Sequence, residues 1–231
     1  MKHRSAILLW APHLALLALL AAPRWRTTLV LHANHPREIG AERAARLRPL
    51  RAAGVTLLNQ AVLLAGVNDN ETALAGLSDA LFDAGVVRVV MGTAAVESPD
   101  LVAAVAAIGR VAVGLDLRGD EVAVRGWTAG SGLGLQDALE RFSSLGTDAF
   151  VITRIERDGT LEGPDLEGLG DALAATGIDV VASGGVGRPG DLTDLADLEV
   201  DGRRLAGIII GRALYEGTVD LAAAVEAMGG R

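Results

Sequence analysis

From Thr27 onward, two kinds of segment alternate along the chain. Short apolar, β-branched runs come first: TTLVLHA, VTLLNQAVLLAGV, VRVVMGT, VAVGLDL, AFVITRI, DVVASGG and LAGIIIGRA. Their near-continuous apolarity predicts strands buried on both faces, as in a parallel sheet. Between them, helical spacing predicts helices over Ala41–Ala53, Glu71–Ala84, Pro99–Ile108, Leu135–Leu145, Leu166–Thr176 and Asp191–Leu198. Asn70, Ser98, Asp191 and Asp220 stand where caps are expected, and Gly54, Gly85, Gly109, Gly146 and Gly177 where helices should stop.

This unbroken alternation predicts an α/β fold with a parallel sheet. The strands from Thr27 on number seven, and a (βα)8 barrel needs an eighth to close. The opening stretch is the only place for it. MKHRSAILLWAPHLALLALLAAPRW has the outline of a secretory signal: a basic start, an apolar run and small residues before Pro23. Closure favours the folded reading instead. Ser5–Trp10 is then a central strand paired to Thr27–His32 and Leu205–Gly211, and HLALLALLAA is the helix after it. The expected architecture is a single TIM-barrel domain over residues 1–231.

Composition sharpens this only in places. There is no cysteine among the 231 residues, so disulfides, thiolate-held zinc and iron–sulfur clusters are excluded. The net charge is −8, but residues 1–86 carry +3 and residues 87–231 carry −11. The acidic part argues against nucleic-acid binding. Apart from 6–22, which Pro12 and His13 break, no apolar run approaches a membrane-spanning length. All four histidines lie in the first 35 residues; His32 and His35, without a third ligand, make a weak metal site.

An internal repeat adds candidate chemistry. GTAAVE (Gly92–Glu97) matches GRALYE (Gly211–Glu216) at an offset of 119 residues, each after an apolar strand. The same offset lays SGGVG (Ser183–Gly187) on LAGVN (Leu64–Asn68). Glycines here let backbone N–H groups approach an anion at a helix N-terminus, the usual phosphate site of such barrels. Gly184, Gly185, Gly211 and Arg212 are the expected phosphate binders, with Gly92 and Thr93 as a partial second site. Asp116 ends the strand VGLD and should face the barrel's active end.

Several of these stretches carry a family resemblance. VVMGTAAVESPDLV, VAVGLDLRG, VAVRGW, DGTLEGPDLE, VVASGGVGRPGDL and IIIGRALYEG, in this order, resemble the second part of ProFAR isomerase, the phosphoribosyl isomerase of histidine biosynthesis. The resemblance implies a (βα)8 barrel, an Amadori rearrangement of a ribosylamine to a ribulosylamine, a substrate with a phosphate at each end, and a cytoplasmic protein. It implies Asp116 as a catalytic acid/base and substrate contacts at Trp127, Gly159 and Thr160, with Asp158 in the site-shaping DGT loop. Two features depart from the family. The first strand, SAILLWAPH, lacks the family's carboxylate, and Arg154 stands where TD or TE is common.

The opening part instead resembles the lysine 2,3-aminomutases, including their elongation factor P β-lysylation branch, through LVLHANHPREI and GVTLLNQAVLLAGVNDNETALAGLSDALFDAGV. That family's chemistry needs a three-cysteine motif and a lysine for its pyridoxal cofactor. This chain has no cysteine, and its sole lysine is Lys2. The expectation is therefore a chimera joined near Gly85–Arg88, from an aminomutase-like part (1–86) and an isomerase-like part (87–231). It would be a monomer without cofactor or metal, keeping a site for phosphate or a phosphorylated small molecule but with little catalysis. The alternative is a working isomerase in which another group replaces the missing carboxylate.

Overall fold

A computed structural model of the protein describes residues 28–31, 33, 36–52, 56–60, 71–220 and 224. Seven strands form one parallel series: β1 (Thr28–Leu31), β2 (Thr56–Gln60), β3 (Arg88–Met91), β4 (Val111–Arg118), β7 (Ala149–Arg154), β8 (Asp179–Ser183) and β11 (Gly207–Ile209). Their spatial order is their chain order. A doubly wound sheet would reverse direction at a switch point; this one advances by one strand at each step, as the units of a barrel do. The expected strand Ser5–Trp10, and with it closure, lies outside the described residues, as do Asn70 and Leu64–Asn68.

The crossovers carry helices close to the expected places. These are α1 (Ala41–Ala52), α2 (Glu71–Asp83), α3 (Thr93–Glu97), α4 (Asp100–Ala106), α5 (Leu135–Ser143), α6 (Leu166–Ala175), α7 (Pro189–Asp197) and α8 (Arg212–Glu216). Helix α5 shows why they form: Ala138, Leu139 and Phe142 fall on one face and are buried, while Glu140 and Arg141 face out. Phe142 meets a core that contains Leu115, Leu117 and Phe150. Burying each such side chain contributes about 1.5–3 kcal/mol. The core runs without a break from Leu47 and Leu77 to Val89 and Leu101, across the expected junction at 85–88.

Gly85 ends α2 as expected. Its φ is +92°, Val86 N–H donates to Leu81 O at 3.0 Å and Gly85 N–H to Phe82 O at 2.9 Å, the doubled cap that a left-handed residue permits. Two caps are corrected. The residue before α4 is Pro99, with no side-chain cap; Ser98 supplies only its carbonyl, to Leu101 N–H. Asp191 is the third residue of α7, reaching back to the chain before it.

Two antiparallel additions were not expected. A hairpin of β5 (Glu121–Val124) and β6 (Ala129–Gly134) folds back on the end of β4, with Asp116 opposite Ala123. A two-stranded ribbon, β9 (Glu199–Val200) and β10 (Arg203–Arg204), lies beyond α7. Its Arg203 donates to the carbonyls of Leu173 at 2.6 Å, Ile178 at 2.7 Å and Thr176, and so caps the end of α6. At the strands' N-terminal end Asp148 receives Arg88 at 2.8 Å and Arg110 at 2.5 Å. That leaves the C-terminal end free of this cluster, and there the candidate site forms.

Among the described residues no helix is long and apolar enough to cross a membrane, and no three acidic or histidine side chains could together hold a metal ion.

Candidate active site

Three loops meet at the C-terminal end of the sheet. They follow β7, β8 and β11, and enclose a cleft of about 220 Å³. The β7 loop brings Asp158, Gly159 and Leu161; the β8 loop brings Ser183 to Val186; the β11 loop brings Gly211 and Arg212. Five residues expected to bind substrate or phosphate, Gly159, Gly184, Gly185, Gly211 and Arg212, are thus brought to one place.

The glycines serve packing as well as access. Gly185 has φ +84°, and a Cβ there would lie 2.5 Å from Gly163 O. Gly163 N–H donates to Gly185 O at 2.9 Å. A Cβ at Gly187 would run into Leu161 O, and one at Gly184 would press on Asp158. The β7 loop therefore lies directly across the SGGVG turn, and backbone-to-backbone approach at this distance needs glycine. Gly211 differs: a Cβ there would meet nothing within 4 Å, so its side faces open space. Arg212 points its Nη1 at Gly159 O, 2.6 Å away, and its Nε at Glu216 Oε1, 2.6 Å away. It joins the first and last loops of the cleft.

Asp191 fixes the floor of the β8 loop. Its Oδ2 accepts the N–H groups of Gly187 at 2.8 Å and Arg188 at 3.0 Å, and its Oδ1 meets Arg188 Nε at 3.1 Å. Burial raises its pKa, but the Gly187 and Arg188 hydrogen bonds and the Arg188 charge outweigh this and hold it below the ordinary value. A depressed carboxylate adds stability above its unfolded pKa of about 3.9, and that stability is lost as the pH falls through the folded value. Asp191→Ala should therefore cost about 1–2 kcal/mol at neutral pH. Its denaturation midpoint should also fall less between pH 5 and pH 3 than the parent's. Urea melts across that range measure both effects; parallel curves for the two proteins would remove this role.

Asp116 sits half-buried near the end of β4, one strand over from β7, in register with Thr153. The hairpin brings Trp127 to it, and the indole Nε1 donates to Asp116 Oδ2 at 2.7 Å. The turn that does this is unusual: Arg125, Gly126 and Trp127 have φ of +56°, +63° and +70°. Non-glycine residues seldom hold such angles. Here Arg118 donates to Trp127 O at 2.7 Å, Arg125 N–H donates to Thr93 Oγ1 at 3.0 Å and Arg125 Nε to Glu97 at 2.8 Å. Thr93 thus lends its hydroxyl to the hairpin.

Gly92 and Thr93 follow β3 and lie outside the cleft lining. The backbone repeat is nonetheless visible: Gly92 has φ −98°, ψ −111°, and Gly211 has φ −107°, ψ −97°, each preceding a five-residue helix. Thr160 spends its hydroxyl within its own loop, donating to Arg157 O at 2.8 Å. Asp158 goes beyond the site-shaping loop position expected of it. It is exposed and lines the cleft. The signal was present in its place, four residues beyond the end of a strand.

Parallel βα units in chain order, with loops converging on a glycine-lined cleft at the strands' C-terminal end, define an α/β protein built as the units of a (βα)8 barrel are. The chain belongs to the family described as "Histidine biosynthesis protein", whose profile matches residues 62–220. It is similar to the 1-(5-phosphoribosyl)-5-((5-phosphoribosylamino)methylideneamino) imidazole-4-carboxamide isomerases of Synechococcus elongatus, at 48% identity over 64% of this chain and 58% of the relative, and of Gloeobacter violaceus, at 48% over 65% and 59%. The isomerase of another Synechococcus strain is 40% identical over 193 residues, 80% of this chain and 73% of its own length. The chain spans just under three fifths of the relatives it matches at 48%.

These likenesses correct the expectation of an inert chimera. The family profile begins at residue 62, well before the expected junction, and one isomerase aligns with four fifths of the chain. Both findings run against an inert chimera and with the alternative, likeness to isomerases along most of the chain.

Proposed function

We propose that the protein is a ProFAR isomerase, converting a phosphoribosylamine to its ribulosyl isomer by an Amadori rearrangement. The observation that carries the reading is the 48% identity to curated isomerases; beside it, adjacent strands bring two carboxylates to the same end of the sheet, Asp116 near the end of β4 and Asp158 on the loop after β7, the second lining the glycine-rich cleft. The reaction needs a proton delivered to the ribose ring oxygen as the ring opens, and a proton removed from C2 as the imine becomes an enolamine. Two positioned carboxyl groups suffice, one acting as acid and one as base. Asp158 supplies the second group that the opening stretch SAILLWAPH lacks. Trp127 keeps Asp116 oriented and offers an indole face to the substrate. Gly184, Gly185, Gly211 and Arg212 hold one phosphate; Gly92 and Thr93 remain our candidates for the other. The reading calls for neither cofactor nor metal, and for a cytoplasmic monomer forming one closed barrel.

The aminomutase-like character of residues 14–86 is read as likeness in barrel building blocks, without that family's chemistry. A junction near Gly85–Arg88 is disfavoured by the continuity of the family match from residue 62.

Complementation of a histidine auxotroph lacking the isomerase tests the reading, with growth expected. Failure to grow with soluble protein present, together with no turnover of ProFAR in vitro, would remove it. Binding is tested separately. Inorganic phosphate should raise the melting temperature, and Gly211→Asp, which sets a carboxylate in the open space at that position, should abolish the rise.

A further inference from the structure

Arg154 is the last residue of β7, at the edge from which the cleft opens, yet it is not in the cleft wall. Its side chain is turned into the protein, 19% exposed, and its Nε donates to Asp165 Oδ2 at 2.6 Å. Asp165 is itself 25% exposed, and its other oxygen caps α6 by accepting Gly168 N–H at 3.2 Å. A Cβ at Gly168 would collide with Asp165 Oδ2 and lie 2.8 Å from Arg154 Nη2. The ion pair fills the space that a missing side chain leaves.

Residues 154 and 165 are the two ends of the loop that carries Asp158, so one ion pair closes it. Closure of this kind removes much of a loop's conformational freedom. The backbone adds to it: Arg154 O accepts from Arg157 N–H at 3.0 Å and Asp158 N–H at 3.1 Å. The guanidinium also reaches across, its Nη1 donating to Gly119 O in the turn between β4 and β5. Gly119 N–H answers with a bond to Glu156 Oε1 at 3.1 Å. That turn begins the hairpin whose Trp127 rests on Asp116. A single side chain thus ties the loop that bears Asp158 to the turn that follows the strand bearing Asp116.

We infer that Arg154 is a positioning residue: with Asp165 it fixes the Asp158 loop against the β4–β5 turn and so sets the two carboxylates relative to each other. Its kinetic consequence rests on the isomerase reading. Removing Arg154 leaves Asp165 still able to cap α6, so the fold survives and the loop is what moves. A misplacement of about 1 Å can cost on the order of a hundredfold in rate.

Arg154→Ala, Arg154→Lys and Gly168→Ala are compared with the parent in two assays. One is trypsin cleavage after Arg157, which needs no substrate. The other is steady-state turnover of ProFAR. Arg154→Ala and Gly168→Ala, the latter keeping both charges, should speed cleavage after Arg157 by about tenfold or more and lower kcat by about 10- to 100-fold, with cleavage outside residues 154–165 unchanged. Lysine at 154 keeps the charge opposite Asp165 but cannot also span to Gly119 O, and should recover part of both. Parent-rate cleavage in both variants overturns the inference, and so does parent-level kcat beside faster cleavage. A parent chain that does not turn over ProFAR overturns the isomerase reading instead, and cleavage alone then decides the brace.

Discussion

Asp116→Asn should lower ProFAR turnover by about 100- to 10,000-fold, the worth of one general acid–base group, and should abolish complementation. Asparagine keeps the shape of the side chain and an oxygen that can accept from Trp127 Nε1, so the hydrogen bond at 2.7 Å survives the change. What is lost is the ability to take or give a proton. Melting temperature and its response to phosphate should therefore stay near the parent's, because Asp116 lies outside the glycine-lined cleft. Asp158→Asn should cost a similar factor for the same reason. If Asp116→Asn turns over at the parent's rate while Asp158→Asn does not, the acid and base both lie elsewhere than β4, and the Trp127 contact is structural.

The parallel series was legible because strands buried on both faces read as continuous apolar runs, and glycine stops marked the helices between them. The hairpin was not. Its second strand, AGSGLG, is half glycine and only partly buried, so it carries neither the apolar run nor the β-branched content that marks the others. The cleft was legible as a set of glycines but not in its construction. Gly185 and Gly163 are far apart in sequence, and nothing local says that one lies on the other. Two acidic and basic residues were misjudged for one reason: each was weighed alone. Arg154 read as a charge reversal inside the site, whereas Asp165 neutralises it outside the cleft. Asp158 was expected only to shape the site through its DGT loop, whereas it lines the cleft itself. The expectation of lost catalysis rested on the missing carboxylate in SAILLWAPH and on Arg154, and it is overturned by likeness along the chain, from the family match over residues 62–220 and the isomerase aligned with four fifths of it.

Gly185→Ala tests the cleft's construction more severely than any change to a side chain in it. At φ +84° an L-residue is strained before any contact is considered, by roughly 1–2 kcal/mol. The added methyl would then lie 2.5 Å from Gly163 O, 2.8 Å from Gly163 C and 2.9 Å from Pro164 Cα. All three are backbone or ring-locked atoms, so no side chain can swing aside. The β7 loop must lift, breaking the hydrogen bond from Gly163 N–H to Gly185 O and carrying Asp158 with it. A total of about 3–5 kcal/mol is expected, which for a chain of this size lowers the melting temperature by roughly 10 °C. Turnover of the protein that remains folded should fall as well, because the loop bearing one carboxylate has moved. Gly177→Ala is the control: it is exposed, its φ is not positive and a Cβ there meets nothing within 4 Å, so its stability should stay within about 0.5 kcal/mol of the parent's. Should Gly185→Ala melt like Gly177→Ala, the loop does not lie on the turn, and the cleft described here does not hold its shape in solution.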